Sequence, residues 1–451
     1  MPASAPALAA APLPRSGHRR SVAESTLRAS VRASYAEGAA SELFTACAGG
    51  AVLTAWAIYL GASPFIIGML GALPMAAQIL QIPGAWLTQT YGARRVAIAA
   101  IGASRFVWLP VALLPFVDLP PSYALPLFVG VVAMGAVFAV VGNNAWIAWM
   151  GDLVPDSLRG RFFSRRTVYI TLAGTAATLA AGVALDYLGT NGWRGETLAG
   201  LAAVAGLAGG CSVWLLFRQH DPGSSAAAEC PDWRVLGRVA RDNGAGRFLR
   251  YLLGWNAAVG LSASFFSFHM LVNLQTGFVL AALHGVAVAV TRIAAAPAWG
   301  RAVDRLGARP VLILCSFGIA AVPAIWLFAT PSFLWPLALE AVLAGILWGG
   351  HGIAAMDLTI HLSPRRERAF YVAVFAAAGG LGFAAASVVS GVLASQLPAR
   401  FAMLGWTWTN LHVLFLLSAV ARLVAAVAAL RIEERNARGV RDLLRTVLAV
   451  S

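Results

Sequence analysis

Twelve runs of roughly twenty or more mostly apolar residues follow one another along the chain, and this succession constrains its fold more than any other feature. An α-helix of about twenty residues spans the roughly 30 Å of hydrocarbon in a bilayer. The runs lie near 37–60, 64–89, 95–117, 122–150, 166–187, 197–217, 248–271, 277–300, 309–329, 332–356, 368–395 and 403–430. Only 12% of the 451 residues are charged, whereas about 25% is usual in a soluble domain. We therefore predict an all-α integral membrane protein with twelve transmembrane helices.

The basic residues indicate the side of the membrane on which each loop lies. All 33 are arginines, and 28 of them fall in the chain ends or in alternate loops, whereas the intervening loops contain only Arg194 and Arg400. Because arginine-rich loops stay in the cytoplasm, this asymmetry predicts a multi-pass protein of the cell (inner) membrane with both termini cytoplasmic. The formal net charge of +14 is thus a topology signal, and we expect no nucleic-acid partner.

The longest polar stretch between spans, 218–246, falls near the middle of the chain and has six spans on each side. We therefore predict an N-terminal six-helix bundle over 37–217 and a C-terminal one over 247–430, joined by a cytoplasmic central loop. The segment 1–36 is rich in Ala and Pro and then in Arg, which predicts a disordered cytoplasmic tail. Residues 431–451 are predicted to form a second cytoplasmic tail.

Two pairs of loops repeat between the halves. "GAWLTQTYGARR" (84–95) follows the second span, and "WGRAVDRLGARP" (299–310) follows the eighth. "PDSLRGRFF" (155–163) follows the fourth span, and "PRRERAFYV" (364–372) follows the tenth. Two similar loops in the same order indicate that one six-helix unit occurs twice.

The loop after the eighth span resembles the signature loop of the major facilitator superfamily, G-x-L-a-D-r-x-G-r-k/r. The matching residues are Gly300, Asp304, Arg305, Gly307 and Arg309. The first copy matches at Gly92 and Arg94 but has Gln89 where the family has Asp, and the second loop pair contributes Arg159 and Arg368. The resemblance implies two pseudo-symmetric bundles that alternate access to a midplane site, and gating loops in which Asp304 accepts hydrogen bonds in one conformation only.

Ionisable residues inside spans are costly and are candidates for function. By resemblance, Arg292 borders the central cavity, where it binds an anionic group or a carboxylate, or only hydrogen-bonds a neighbouring helix. Glu340 is a proton-coupling candidate, with a fixed structural hydrogen bond as the alternative, and we expect these two residues to interact. Glu42 is the second proton-coupling candidate, although in the first turns of its helix it would also complement the helix N-terminus. Arg422 is expected to extend to the interface.

Uncharged polar residues complete the predicted substrate site: Gln78, Asn143, Asn144 and Asn256. Hydrogen bonding between helices is the alternative for each. The four histidines in or near spans, at 269, 284, 351 and 412, have no short ligand spacing. We therefore expect no metal and no cofactor.

The sequence also narrows the function. Without any lysine the chain cannot form a Walker A loop, so it does not hydrolyse ATP. We predict a monomeric secondary transporter, not an enzyme, that moves a small polar or anionic solute and is coupled to protons or runs downhill. A translocator of lipids, amphiphiles or drugs with the same fold is the alternative, although the fourth and fifth spans lack the Arg and the Pro of drug antiporters. A membrane enzyme is less favoured, because span ends lack the clustered acids of a Mg²⁺ site. A non-transporting sensor with the same fold is a further, less favoured alternative.

Overall fold

The computed structural model describes residues 16–117, 119–189, 192–223, 234–364, 368–403 and 406–433. This part of the chain is almost entirely helical, and eleven of its helices are long and apolar enough to cross a membrane. The helix Asn243–Ala263, which carries Arg247 and Arg250 near its start, completes the predicted set of twelve. The prediction of an all-α membrane protein is confirmed.

The α-helices, in chain order, are Ser16–Ala48, Gly50–Tyr59, Pro64–Ala76, Gln81–Tyr91, Ala93–Phe106, Pro121–Leu153, Asp156–Tyr187, Arg194–Phe217, Arg234–Arg241, Asn243–Ala263, Phe266–Phe268, Gly277–Leu306, Ala308–Ile325, Trp335–His361, Arg368–Gln396 and Asn410–Ala429. Short 3₁₀ turns at Ala77–Leu80, Leu109–Phe116 and Trp326–Phe328 extend the second, third and ninth spans. A π turn at His269–Asn273 extends the seventh.

Prolines and glycines explain several of these breaks. Pro74 lies just before the 3₁₀ turn of the second span, and the turn of the third span contains Pro115. Proline lacks the N–H that an α-helix needs, so the helix tightens or ends there. The first span is interrupted between Ala48 and Gly50, whose φ of 53° is outside the helical range.

The predicted boundaries are wrong at two places. Residues from Ser16 onward are helical and continuous with the first span, so the segment 1–36 is not a disordered tail over its described part. Ser30 and Ser34 are buried against the first bundle, and the Ser30 hydroxyl accepts a hydrogen bond from His220 N–H. The twelfth span starts at Asn410 instead of 403, because Arg400–Met403 and Trp406–Thr409 form an antiparallel hairpin before it.

The described chain begins and ends on one face of the helical layer, here called the terminal face, where Ser30 contacts His220 and Glu433 contacts Arg247. The opposite face is called the far face. Three buried apolar clusters lie between these faces. One cluster, near the far face, joins both halves of the chain and includes Trp56, Phe128, Phe265 and Phe415. Near the terminal face, each half has its own separate cluster. The two bundles thus share one core at the far face and separate toward the terminal face.

Candidate functional site

A cavity of about 590 Å³ lies between the two bundles. Each helix is named by the span that it forms, so the fifth helix is Asp156–Tyr187 and the eighth is Gly277–Leu306. The first and fifth helices bound the cavity on one side with hydroxyl-bearing residues, Thr45, Thr171, Thr175 and Thr178. The seventh, eighth and ninth spans bound it on the other side with aromatic rings, Phe266, Phe278 and Trp326. A cavity of this size and mixed lining accommodates one small molecule.

Glu42 lies in the wall of this cavity. The neighbouring Ser41 is hydrogen-bonded to Arg105, which lies halfway along the third span, Ala93–Phe116, so Glu42 lies near the middle of the bilayer. Its side chain is half-buried, and none of the described residues forms a hydrogen bond with its carboxylate. The interpretation that Glu42 complements a helix N-terminus is wrong, because that helix begins at Ser16.

A buried ion pair lies next to Glu42 within the first bundle. Arg166 Nη2 donates to Glu37 Oε2 at 2.9 Å, and the Ser212 hydroxyl donates to Glu37 Oε1 at 3.0 Å. Glu37 is only 3% exposed. The guanidinium of Arg166 also lies 4.1 Å from the centre of the Trp146 ring. Arg166 is thus already neutralised and held by Glu37, and it does not line the cavity.

Arg105 is the second arginine near Glu42. Its guanidinium donates to the Ser41 hydroxyl and lies 4.1 Å from the centre of the Phe44 ring. Both partners belong to the first helix, so Arg105 fastens the third helix to the first. Arg105 and Arg166 both interact electrostatically with Glu42, but neither lines the cavity.

The second bundle contributes a histidine and a buried glutamate. His284, in the cavity wall, has its Nε2 at 2.5 Å from Glu340 Oε2. Glu340 is 5% exposed and lies behind His284 as seen from the cavity. The expected interaction of Glu340 with Arg292 is therefore wrong, because His284 is the partner of this carboxylate.

Arg292 lies on the same side of the eighth helix as the cavity-lining Gly285, since seven residues make two helical turns. It is exposed, lies two turns nearer the terminal face, and forms no hydrogen bond with the described residues. Arg422, by contrast, does not extend to the interface. It is 2% exposed, and its Nη2 donates to the Ser262 hydroxyl at 3.0 Å.

The predicted amide residues lie outside the cavity lining. Asn144 donates to the Gln81 carbonyl at 3.1 Å, and Gln78 accepts a hydrogen bond from the Gln81 side chain. Asn256 donates to a carbonyl of its own helix at 2.8 Å, and Asn143 is exposed. Of these residues, Asn144 makes the hydrogen bond between helices that was the alternative to substrate binding, whereas Gln78 and Asn256 bond within their own spans.

At the far face, the fifth and eighth helices are joined by Asp186. Its two carboxylate oxygens accept hydrogen bonds from Phe278 N–H at 2.8 Å and Val279 N–H at 2.7 Å. These donors belong to the first turn of the eighth helix, where backbone N–H groups lack helical partners and the helix dipole favours a negative charge. Arg194 packs over the Phe278 ring at 5.6 Å. Asp186 therefore closes the cavity at its far end.

The second and eleventh helices form another contact between the bundles near the far face. Ser387 donates to the Gly68 carbonyl at 2.9 Å, and Phe65 N–H donates to the Ser395 hydroxyl at 3.1 Å. A Cβ atom on Gly68 would lie 2.5 Å from the Ser387 carbonyl oxygen, so only glycine permits this approach.

At the terminal face, the two copies of the signature loop have the same conformation. Gly92 and Gly307 each form the whole turn between two helices, with φ of 90° and 95°. Arg94 donates to the Phe217 and Gln219 carbonyls, at the end of the sixth helix. Arg309 donates to the Leu430 carbonyl, at the end of the twelfth helix. Each loop is thus bonded within its own bundle.

The other predicted gating residues are less constrained. Asp304 and Arg305 are exposed, and Asp304 forms no hydrogen bond with the described residues. Gly300 lies within the eighth helix. Arg159 donates to the Gly151 carbonyl at 2.7 Å in its own bundle. The side chain of Arg368 lies outside the described residues.

Sequence reasoning missed Asp186, the cavity position of His284, and the Glu37–Arg166 pair. The apolar pattern predicts that the first span starts at Glu37, whereas the helix begins upstream at Ser16. The sequence carries one signal for Asp186, because it is an acidic residue at the end of the fifth span. Its partner is the start of the eighth helix at Gly277, which it contacts in space. No periodic pattern indicates that His284 faces Glu340, because both have apolar neighbours on every side.

Comparisons with known proteins agree with this architecture. The Major Facilitator Superfamily model matches residues 245–446. Over 117 residues the chain is 35% identical to the class E tetracycline resistance protein of Escherichia coli, an alignment that covers 25% of this chain and 28% of that protein. This chain therefore matches under a third of that relative.

Solved structures extend the likeness to nearly the whole chain. A nucleoside transporter superposes with a TM-score of 0.68 at 14% identity, covering 90% of this chain and 100% of that chain. The xylose transporter XylE of E. coli, in an inward-open conformation, superposes with a TM-score of 0.66 at 14% identity, covering 93% and 99%. At such identities the likeness shows the twelve-helix fold.

Proposed function

We propose that this chain is a member of the major facilitator superfamily and, from that premise, that it is a secondary transporter of a small polar solute that works by alternating access. One observation carries the proposal: the bundles share a single apolar core at the far face and have separate cores toward the terminal face. A molecule built this way closes a central cavity at one end and opens it by rocking the bundles.

The terminal face is the cytoplasmic one in this proposal, because it carries the arginine-rich loops. The conformation described is then inward-facing, with Asp186 and the contact between the second and eleventh helices as its outer gate. In such a state the signature loops are expected to be free of the opposite bundle. The bonds of Arg94 and Arg309 within their own bundles support this assignment.

Proton coupling is assigned to the two acids at the cavity. Glu42 lines it directly, and Glu340 meets it through His284. A carboxylate near the middle of the bilayer is costly to keep charged, so it exchanges a proton readily when its surroundings change. The anionic part of the predicted substrate class depended on Arg292, which lies about one turn beyond Ala289, the last residue of its helix in the cavity wall.

The outer gate offers a direct test. A cysteine placed at Thr178, in a background without the four native cysteines, reports cavity access from outside to a membrane-impermeant maleimide. We expect Asp186→Asn to increase the labelling rate severalfold, because a neutral amide binds the helix N-terminus less strongly. Asp221→Asn is the matched control, since Asp221 binds a backbone N–H at the terminal face. Equal labelling of the Asp186 variant and the control would refute the gate.

A translocator of amphiphiles is the second candidate, favoured by one observation. An apolar cleft of about 520 Å³ lies between the second and eleventh helices, bounded by Ile79, Leu80, Pro83, Val374 and Leu381. Ile79 and Leu381 are both 46% exposed, so the cleft opens sideways to the bilayer. Filling it with Ala377→Phe would slow transport of a membrane-dissolved substrate and leave a water-soluble one unaffected.

A further inference from the structure

The charged groups around the cavity are unequally distributed. Its wall contains the carboxylate of Glu42 and the imidazole of His284, with the carboxylate of Glu340 directly behind that imidazole. None of the described lining residues is an arginine, and the chain has no lysine. In a protein of formal net charge +14, the cavity wall thus contains a carboxylate and no arginine. Arg292 lies about one turn beyond Ala289 of this wall, toward the terminal face, and the buried Arg422 interacts with Glu340.

The two arginines that interact with Glu42 do not offset the negative charge that its carboxylate presents to a ligand in the cavity. Arg166 is bound to Glu37 at 2.9 Å and stacked on Trp146, and Arg105 is bound to Ser41 and stacked on Phe44. Their hydrogen bonds are directed into the first bundle, whereas Glu42 has no hydrogen bond with the described residues. The carboxylate is therefore a charged group with unused hydrogen-bonding capacity at the cavity surface.

The remaining lining complements a cation with an apolar body. Threonine hydroxyls next to Glu42 accept hydrogen bonds from an ammonium group or its hydration shell. The rings of Phe266 and Trp326 on the opposite wall, with centroids 4.7 Å apart, form an aromatic surface. Aromatic faces attract cations and bury apolar groups, and both effects strengthen where water is excluded.

We infer that this cavity binds an organic cation, whose charged group is held by Glu42 and whose apolar part packs against Phe266 and Trp326. The inference rests on the proposed transport function and gives it a substrate class. It replaces the anionic solute that the sequence indicated through Arg292. Proton and cation would compete for one carboxylate, so uptake of one accompanies release of the other.

Two probes of the same shape and opposite charge test the inference. Tetraphenylphosphonium and tetraphenylborate are titrated against the purified full-length protein, and binding is measured by calorimetry. We expect the cation to bind more tightly than the anion. We expect Glu42→Gln to weaken cation binding about tenfold or more, because the neutral amide removes the ionic attraction between the carboxylate and the cation. Glu42→Asp, which keeps the charge, should lose less, and the exposed Glu196→Gln is the matched control.

Three results would overturn the inference: tighter binding of the anion, unchanged cation affinity in Glu42→Gln, or binding of neither probe. The labelling of Thr178→Cys is measured separately, from outside, on intact cells that express the protein. If the Asp186 gate responds as expected while the cation does not bind, the substrate class is wrong and the transporter proposal stands. If the gate does not respond either, both fail. If Glu42→Asp still binds the cation, the loss of cation binding in Glu42→Gln is due to the lost charge and not to misfolding.

Discussion

At the scale of single residues, Glu42 combines a position near the bilayer middle with a carboxylate that no described residue hydrogen-bonds. The charged groups near it are Arg166, Arg105 and Glu37, all within the first bundle. Two of these already form an ion pair. A change in the charge of Glu42 therefore acts on whatever occupies the cavity as well as on Arg105 and Arg166.

This predicts a pH dependence of cation binding. Protonation removes the negative charge of Glu42, so the affinity for tetraphenylphosphonium should fall as the pH falls, approaching about tenfold per pH unit once the carboxyl is mostly protonated. Glu42→Gln should make the weaker residual binding independent of pH over the same range. A pH dependence that persists in Glu42→Gln but disappears in Glu340→Gln would assign the effect to the His284 pair instead.

The Glu37–Arg166 pair has a different role, that of stabilising the first bundle. Removing one partner of a buried ion pair costs about 3–5 kcal/mol, because the other charge remains buried without compensation. Glu37→Gln should therefore lower the apparent melting temperature in detergent by several degrees. Glu196→Gln, at an exposed position, should leave it nearly unchanged. Equal melting temperatures for the two variants would mean that Arg166 finds another partner.

At the scale of helices, the closed far face depends on close contact between the second and eleventh helices at Gly68. Gly68→Val would place a side chain against the Ser387 carbonyl and the backbone of Gly391. We expect this to favour the outward-open state and to increase labelling of Thr178→Cys from outside. Gly130→Val is the control, because a Cβ atom there meets nothing within 4 Å. Unchanged labelling in Gly68→Val would exclude this contact from the gate.

Helices were also where sequence reasoning succeeded best. Runs of apolar residues determine the spans, because backbone N–H and C=O groups in hydrocarbon must be hydrogen-bonded within a helix. The turn at Gly307 follows from a polar strip that cannot lie in hydrocarbon. The sequence does not indicate which side of each helix a polar residue faces. Arg292 and His284 sit on one helix among apolar neighbours, so nothing in the sequence indicated that Glu340 would pair with the histidine. Arg422 was misjudged for the same reason, since its partner Ser262 is 160 residues away.

At the scale of the whole molecule, the arginine distribution predicts that the terminal face is cytoplasmic. Single cysteines at Ser332, at the far face, and at Thr90, at the terminal face, distinguish the two orientations. An impermeant maleimide added to intact cells should label Ser332→Cys and not Thr90→Cys, whereas both should react after the membrane is permeabilised. Labelling of Thr90→Cys in intact cells would reverse the orientation and make the described state outward-facing.

The central claim is that the bundles alternate between a terminal-open and a far-open arrangement. Pulsed electron spin resonance tests it most directly, with one pair of spin labels at Thr90 and His361 on the terminal face and another at Ser63 and Gln396 on the far face. Adding tetraphenylphosphonium or lowering the pH should redistribute both distances in opposite directions, so that the terminal pair shortens as the far pair lengthens. Distances that stay fixed in every condition, or that change together, would contradict alternating access.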